Sequence, residues 1–167
     1  MNILIAGGDG FCGWPTSLLL SSKGHNVIIV DDLSRRQIDS DLKVNSVTNI
    51  ASVDKRIKCA KQLIGNIKFL KIDICNNYDG LVQALKEYSI NAIIHFAQIK
   101  SAPYSMINSY YTRKTVLKNN SSTTNLLSAI AEVDINIHLV HLGTMGVYGY
   151  DDAYGKIPEG YLDVTVK

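Results

Sequence analysis

The chain has little cysteine, no excess of charge of either sign and no long apolar run. Its three cysteines, Cys12, Cys59 and Cys75, are scattered and form no Cys-x-x-Cys pair, which argues against a disulfide framework and against a thiolate metal site. The four histidines lack metal-ligand spacing with carboxylates or thiols. We therefore expect reduced thiols and no metal centre.

The charge balance and hydropathy exclude several classes of partner. The 17 basic and 15 acidic residues leave a formal net charge of +2, which gives no basic face for nucleic acid. No apolar run approaches the roughly 20 residues that a membrane-spanning helix needs. The sequence opens on an apolar strand, without a basic leader or a small-residue cleavage site, so we expect a cytoplasmic protein. Its 167 residues, 46% of them hydrophobic, are enough for one domain with a core.

What the chain does contain is a glycine-rich turn after its first apolar run. Ile3-Leu4-Ile5-Ala6 precedes three glycines spaced Gly-x-x-Gly-x-x-Gly, and Leu18-Leu19-Leu20 follows them. This order predicts a strand, a tight turn and a helix whose N-terminal N–H groups can bind a dinucleotide pyrophosphate. We expect Gly7 to allow the turn, Gly10 the close approach of a phosphate, and Gly13 tight helix–strand packing. A glycine turn without a ligand is the alternative.

Cys12 lies inside this glycine loop. We expect its small side chain to pack beneath the start of the helix rather than to carry out redox chemistry.

An acidic pair ends the second apolar run. Val27–Val30 is followed by Asp31 and Asp32, about 20 residues beyond the glycines, where a carboxylate hydrogen-bonds the ribose 2′-OH of NAD. Arg35 and Arg36 could instead hold the 2′-phosphate of NADP, but Asp31 would repel that phosphate. We therefore expect NAD, and the alternative for Asp31 is a solvated strand end.

Strand and helix periodicities alternate along the rest of the chain. Strands are predicted at Ile67–Ile72, Ala92–Phe96 and Ile137–Leu142, and helices at Tyr78–Tyr88 and Thr123–Val133. Continuous apolar strands separated by helices predict an α/β fold, a Rossmann-type doubly wound parallel sheet with helices on both faces. The helix residues expected to face inward are Leu81, Val82, Leu85, Leu126, Leu127 and Ile130.

Residues 41–65 are too long for a plain connection between the second and third strands. We predict an inserted helical segment there, with its helix roughly at Val53–Ile64, within a single NAD-binding domain spanning residues 1–167. Ligands of open parallel sheets bind beyond the carboxyl ends of the strands. The glycine loop, Asp31 and the segments after Phe96 and Leu142 all fall at such ends, which predicts one shared pocket.

Several motifs are unusual for a generic nucleotide-binding fold. They are GGDGFCGW at Gly7–Trp14, SAPYSM at Ser101–Met106 and LGTMGVYG at Leu142–Gly149, with Asn49–Ser52 and Glu159–Tyr161 beside them. Together they resemble the UDP-sulfoquinovose synthase branch of the extended short-chain dehydrogenase/reductase superfamily. The resemblance covers essentially the whole chain.

This resemblance implies that the protein binds NAD and acts on UDP-glucose with a sulfur donor such as sulfite. The implied route oxidises the sugar C4 hydroxyl to a ketone, which acidifies the neighbouring C–H. Water is then lost across C5–C6, sulfite adds at C6, and the cofactor returns its hydride. NAD is therefore regenerated in each turnover.

The resemblance also implies a set of site residues. Thr144 would hydrogen-bond the reacting sugar hydroxyl as the catalytic residue, with an ordinary strand-end hydroxyl as the alternative. Asp73 and Ile74 would flank the adenine. The cofactor-binding residues implied are Gly7, Gly10, Phe11, Cys12, Gly13, Asp31, Asp32, Arg35, Arg36, Asp73, Ile74, Phe96, Ala97 and Asn119. The substrate-binding residues implied are Gln98, Lys100, Ser101, Tyr104, Thr144, Met145 and Gly146.

Met145 and Gly146 stand where related sugar dehydratases carry an Asp-Glu acid/base pair, which disfavours ordinary 4,6-dehydratase chemistry. Four other positions depart from the family pattern. Gln98-Ile99-Lys100 replaces an expected Glu-Gln-Arg, and a lysine loses the planar bidentate donor of an arginine. Thr123 stands where we expect a glycine that keeps a helix close to the cofactor.

The superfamily's catalytic Tyr-x-x-x-Lys pair is expected after the strand that carries Thr144. Tyr110–Lys114 has this spacing but precedes that strand, so we interpret it as a chance match on a surface helix. No such pair follows Tyr148 before Lys167. We therefore expect a fragment that is truncated before the sugar-binding part and is inactive by itself, or a decayed copy. Another NAD-dependent UDP-sugar epimerase or dehydratase and a non-catalytic NAD-binding module are the alternatives, and a homo-oligomer is compatible with all of them.

Overall fold

The first apolar run of the sequence forms the centre of a parallel sheet. The computed structural model describes residues 1–144. Its strands are β1 (Asn2–Ala6), β2 (Asn26–Asp31), β3 (Ile67–Lys71), β4 (Ala92–His95) and β5 (His138–His141). They pair in the order β3-β2-β1-β4-β5, and every pairing within the described residues is parallel. The strand order therefore reverses between β1 and β4.

The strands supply two apolar layers, one on each face of the sheet. Successive strand residues point to opposite faces, so a continuous apolar run fills both layers. The first layer contains Leu4, Ala6, Ile28, Val30 and Ile93. The second contains Ile3, Ile5, Val27, Ile29 and Ala92.

Helices cover both layers. They are α1 (Gly13–Ser22), α2 (Ser34–Asp41), α3 (Val53–Leu63), α4 (Tyr78–Glu87), α5 (Ala102–Ser105) and α6 (Ser109–Val133). α4 and α6 pack on the first layer through residues such as Leu81, Leu85 and Leu126. α1 and α3 pack on the second through Leu18 and Ile57. The predicted doubly wound α/β fold is confirmed.

α6 is longer than the sequence predicts, and one of its inward residues was assigned wrongly. The helix begins at Ser109, where the side chain of Asn108 accepts hydrogen bonds from the first N–H groups. Leu126 and Ile130 are buried as predicted, but Leu127 is 52% exposed. A helix turns about 100° per residue, so a residue next to a buried one rotates off the core-facing stripe.

The long connection between β2 and β3 contains two helices. The predicted helix is present as α3, and the side chain of Ser52 caps it by accepting from the N–H of Lys55. α2 is polar and buries no residue, so the sequence contains no apolar periodicity that would predict this helix. That residues 41–65 are an insertion into a simpler fold stays a prediction. Within residues 1–144, no helix combines the length and apolarity that crossing a membrane requires.

Candidate functional site

A cavity of about 750 Å³ opens at the carboxyl ends of the strands, where the strand order reverses. Crevices at this point of an open parallel sheet are its usual ligand sites. The predicted cofactor residues in its wall are Gly7, Gly10, Phe11, Cys12, Gly13, Asp31, Asp32, Arg35, Asp73, Ile74, Phe96, Ala97 and Asn119. The predicted substrate residues in it are Gln98, Lys100 and Ser101.

The glycine loop fits tightly between β1 and the segment after β4. Gly7 has a φ of +79°, and its N–H donates to Val30 O over 2.8 Å. A Cβ at Gly7 would lie 2.7 Å from Ala97 N, and one at Gly13 would overlap Gly7 O. Gly10 is different, because a Cβ there would meet only Gly7 O, at 3.2 Å. The loop backbone at Gly10 is therefore open to a ligand in the cavity.

The N-terminus of α1 is free to receive an anion. Among the described residues, no side chain caps this helix and no acidic residue lies in its first turn. The N–H of Trp14 donates to Gly10 O over 3.0 Å and that of Thr16 to Cys12 O over 3.2 Å, and Pro15 has no N–H. Within residues 1–144, the N–H groups of Phe11, Cys12 and Gly13 have no backbone acceptor, and these suit a phosphate. The prediction that Cys12 packs beneath the helix start was wrong: its side chain is exposed and lines the cavity. Gly13 occupies the packed position instead, since there is no room for a side chain between it and Gly7.

Asp31 holds the glycine loop and the turn after β2 together. Its Oδ2 accepts from the N–H of Asp9 over 3.0 Å, and its Oδ1 accepts from the N–H of Leu33 over 2.7 Å. Burial raises the pKa of Asp31, although both backbone hydrogen bonds oppose the rise. The carboxylate thus lies half-buried at the cavity wall and not as a solvated strand end.

Arg36 does not line the cavity, in contrast to Arg35. Its guanidinium forms an ion pair with Asp9 of the glycine loop, with Nη2 2.8 Å from Oδ2. Arg56 on α3 pairs with the other carboxylate oxygen of Asp9 and lies over the ring of Trp14, 4.3 Å from its centroid. α2 and α3 are therefore both tied to the glycine loop.

Lys118 joins the ends of β2 and β3, and the sequence motifs did not reveal it. Its Nζ lies 3.0 Å from Asp32 Oδ2 and 3.0 Å from Asp73 Oδ2. Burial disfavours a charge on Lys118, but the two carboxylates outweigh it and raise its pKa. For Asp73, burial is likewise outweighed by hydrogen bonds from Lys118, Asn76 and the Cys75 N–H, which lower its pKa. A lysine within an otherwise polar helix carries no distinguishing sequence pattern.

Burial raises the pKa of the neighbouring Cys75 thiol to about 11, and nearby Asp73 adds to the effect. Its Sγ donates to Lys118 O over 3.3 Å. A raised pKa keeps this thiol in its neutral form, which disfavours a role as a nucleophile.

The segment after β4 is held in place by α6. Asn119 uses both ends of its amide on Ile99: Oδ1 accepts from Ile99 N and Nδ2 donates to Ile99 O. Buried His95 lies 3.2 Å from Thr123 Oγ1 through Nε2 and accepts from Ala97 N through Nδ1. Burial, with a smaller effect of His141, lowers the pKa of His95 to about 4. Thr123 therefore has a defined partner at the position where we expected a glycine.

The remaining predicted residues lie apart from the cavity wall or outside the described residues. Tyr104 is fully buried, and its hydroxyl accepts from Lys114 Nζ over 3.0 Å. Lys114 and Tyr110 lie on α6, and Tyr110 is exposed. That their Tyr-x-x-x-Lys spacing is a chance match stays a prediction. Thr144 is exposed and directly follows Gly143 of the wall. Met145 and Gly146 lie outside the described residues.

The lysine at position 100 meets the glycine loop across the cavity mouth. Its Nζ lies 5.6 Å from the centre of the Phe11 ring, which is 74% exposed. One residue predicted to contact substrate and one predicted to contact cofactor are thus neighbours.

Comparison with known proteins agrees with this arrangement. The chain is 41% identical over 165 residues to the chloroplastic UDP-sulfoquinovose synthase of Spinacia oleracea, covering 98% of this chain and 34% of that protein. It is 40% identical over 150 residues to the UDP-sulfoquinovose synthase of Sulfolobus acidocaldarius, covering 89% and 38%. The chain thus spans little more than a third of the length of these relatives. The predicted resemblance is confirmed.

A solved structure has the same fold. The UDP-glucose 4-epimerase of Stenotrophomonas maltophila, crystallised with bound NAD and formylated UDP-arabinopyranose, matches with a TM-score of 0.70 and 25% identity, covering 93% of this chain and 40% of that one. The family model of GDP-mannose 4,6 dehydratase matches residues 4–159. The chain therefore belongs to the GDP-mannose 4,6 dehydratase family of extended short-chain dehydrogenases/reductases.

Proposed function

We propose that this chain is the NAD-binding part of an enzyme that converts UDP-glucose and a sulfur donor such as sulfite into UDP-sulfoquinovose. The observation that carries the proposal is the cavity at the reversal of strand order, walled by an open glycine loop, a helix N-terminus and a half-buried carboxylate. Identity of 40–41% to two UDP-sulfoquinovose synthases supports the choice of substrate.

The residues in the cavity wall fit a dinucleotide. The backbone at Gly10 and the N-terminus of α1 would hold the pyrophosphate. Asp31 would accept from the adenosine ribose, and Asp73 with Ile74 would flank the adenine. When bound, NAD would supply a hydride acceptor for the sugar C4 carbon and then a donor.

The protein's own residues would orient the sugar. Gln98, Lys100 and Ser101 follow β4, which lies on the other side of β1 from β2 and Asp31, and they line the cavity, where polar and cationic groups suit a nucleotide sugar. Thr144, next to the wall at Gly143, would hydrogen-bond the C4 hydroxyl. Tyr104 lies on α5, directly after this segment, and is fully buried, so it would act on the site through packing.

Calorimetry with NAD on the 167-residue chain tests the cofactor site, and a labelled-sulfite incorporation assay with UDP-glucose on the protein purified from its native source tests the activity. For the 167-residue chain we expect NAD binding without turnover. Turnover of UDP-glucose would contradict the expectation that this chain alone is inactive, and absence of NAD binding would overturn the proposal.

A UDP-sugar epimerase is the second candidate, favoured by the fold match to an NAD-bound UDP-glucose 4-epimerase. Incorporation of label from sulfite separates the two, because an epimerase consumes no sulfur donor. A non-catalytic NAD-binding module would bind NAD and respond to neither substrate.

We also propose a cytoplasmic location, supported by three free cysteines in the described residues. The relative from Spinacia oleracea is named as chloroplastic, so fractionation of the native source is the test.

A further inference from the structure

Arg36 lies in the stretch of sequence where an arginine accommodates the 2′-phosphate of NADP, but its guanidinium is bound to another group. It lies on α2, directly after the acidic end of β2, the region in which an arginine accommodates that phosphate. Its Nε donates to Asp9 Oδ2 over 3.1 Å, and its Nη2 donates to Oδ2 over 2.8 Å and to Oδ1 over 3.2 Å. A planar guanidinium fork bound in this way is held in both position and orientation.

Asp9 is itself fixed and shielded from water. Its side chain is only 5% exposed, and Arg56 from α3 binds its second oxygen while stacking on Trp14. Movement of Arg36 toward a ligand would therefore leave a nearly buried carboxylate with one partner fewer, which is costly.

We propose that Asp9 determines the choice between NAD and NADP by binding Arg36 to the glycine loop. Arg36 is then not available to bind the 2′-phosphate of NADP. The inference rests on the proposed function, because it concerns how the proposed NAD site rejects NADP. Asp31, whose carboxylate accepts from the Asp9 N–H, opposes the phosphate directly. Arg35 lines the cavity and still offers a cation to that phosphate.

Dissociation constants for NAD⁺ and NADP⁺, measured by calorimetry on the whole chain, test this. Asp9→Asn keeps an oxygen for Arg56 and releases Arg36, so we expect the preference for NAD⁺ over NADP⁺ to fall about tenfold. Adding Arg36→Gln to this variant should restore the preference. Asp54→Asn, which removes the same charge from an exposed position on α3, is the matched control and should leave the ratio unchanged.

Arg36→Gln alone keeps the inference testable if Asp9→Asn fails to fold. Because Arg36 is already occupied, we expect its loss to change NADP⁺ affinity less than about twofold. A larger loss of NADP⁺ affinity, or an unchanged ratio in folded Asp9→Asn, would overturn the inference while NAD⁺ binding by the wild-type chain still stands. A wild-type chain that binds neither nucleotide overturns the proposed function and this inference together.

Discussion

His95 Nε2 lies 3.2 Å from Thr123 Oγ1, and this contact takes up the ring proton of a buried imidazole. Nδ1 accepts from Ala97 N, so the ring proton is on Nε2 and is donated to Thr123. The Thr123 hydroxyl can in turn donate to Asn119 O, 3.2 Å away. The network requires a neutral His95, because a proton on Nδ1 would face the Ala97 N–H.

The free energy of unfolding should therefore depend on pH through His95. Its pKa is about 4 in the folded chain and 6.5 ordinarily, so the unfolded chain binds more protons between these values. Stability is fully present above pH 6.5 and is lost as pH falls toward about 4, by about 2 kcal/mol at about pH 5. Urea unfolding at several pH values measures this.

Two variants separate His95 from the other titrating groups. His95→Gln should be less stable than the wild type but lose the dependence on pH in this window. Exposed His138, replaced in His138→Gln, serves as the control and should keep the full slope. An unchanged slope in His95→Gln would show that another group is responsible.

Thr123→Val should destabilise the fold by about 1–2 kcal/mol, since the variant keeps the shape of the side chain and removes the acceptor for buried His95. Thr123→Ser retains the hydroxyl and should lose less. Chemical unfolding at neutral pH provides the comparison. Equal stability of the valine and serine variants would argue against the hydrogen bond as the cause.

Lys118→Met should lower stability by about 1–2 kcal/mol, because Asp32 and Asp73 would be left as partly buried carboxylates without their shared cation. NAD affinity should fall as well, since two uncompensated negative charges would face a negatively charged dinucleotide. Lys86→Met is the matched control: its contact with Glu132 is 3.5 Å long and exposed, so we expect a change below about 0.5 kcal/mol. Similar losses in both variants would contradict the prediction.

Two glycine variants should separate binding from folding. Gly10→Ala meets only Gly7 O at 3.2 Å, so we expect a folded chain whose NAD affinity falls at least about tenfold because the methyl group occupies the phosphate position. Gly13→Ala would overlap Gly7 O, and we expect it to lose more than about 2 kcal/mol of stability. Thermal unfolding and calorimetry on both variants give the two readouts.

The sheet was predictable because strands that are buried on both faces appear in the sequence as continuous apolar runs. Both ends of each predicted strand lie within one residue of the observed ends. α2 and the first half of α6 were not predictable from the sequence, because they bury almost no side chains and their apolar residues do not recur at helical spacing. Leu127 shows a limit of predicting burial from the sequence, because an apolar residue next to the core-facing stripe of a helix cannot be distinguished from a core residue.

Some residues of the candidate site were likewise predictable from the sequence and others were not. Gly7, Gly13 and Asp31 were predictable because backbone space and strand ends impose residue types at fixed spacing. Lys118 and the pairing of Arg36 with Asp9 were not, because both join residues that are distant in the sequence. Only the folded arrangement shows that one acidic residue of the loop occupies two arginines.

The position of β1 also bears on how the chain is made. Ile3 pairs with Val27 on one side and with Ala92 on the other. The edge of the central strand that pairs with β4 therefore has no partner until about 90 further residues have been synthesised. At roughly 5–20 residues per second, a ribosome takes about 5–18 seconds to deliver that partner. During this interval the N–H and C=O groups on that edge of β1 have no strand partner, so the nascent chain carries a free sheet edge that is prone to wrong pairing.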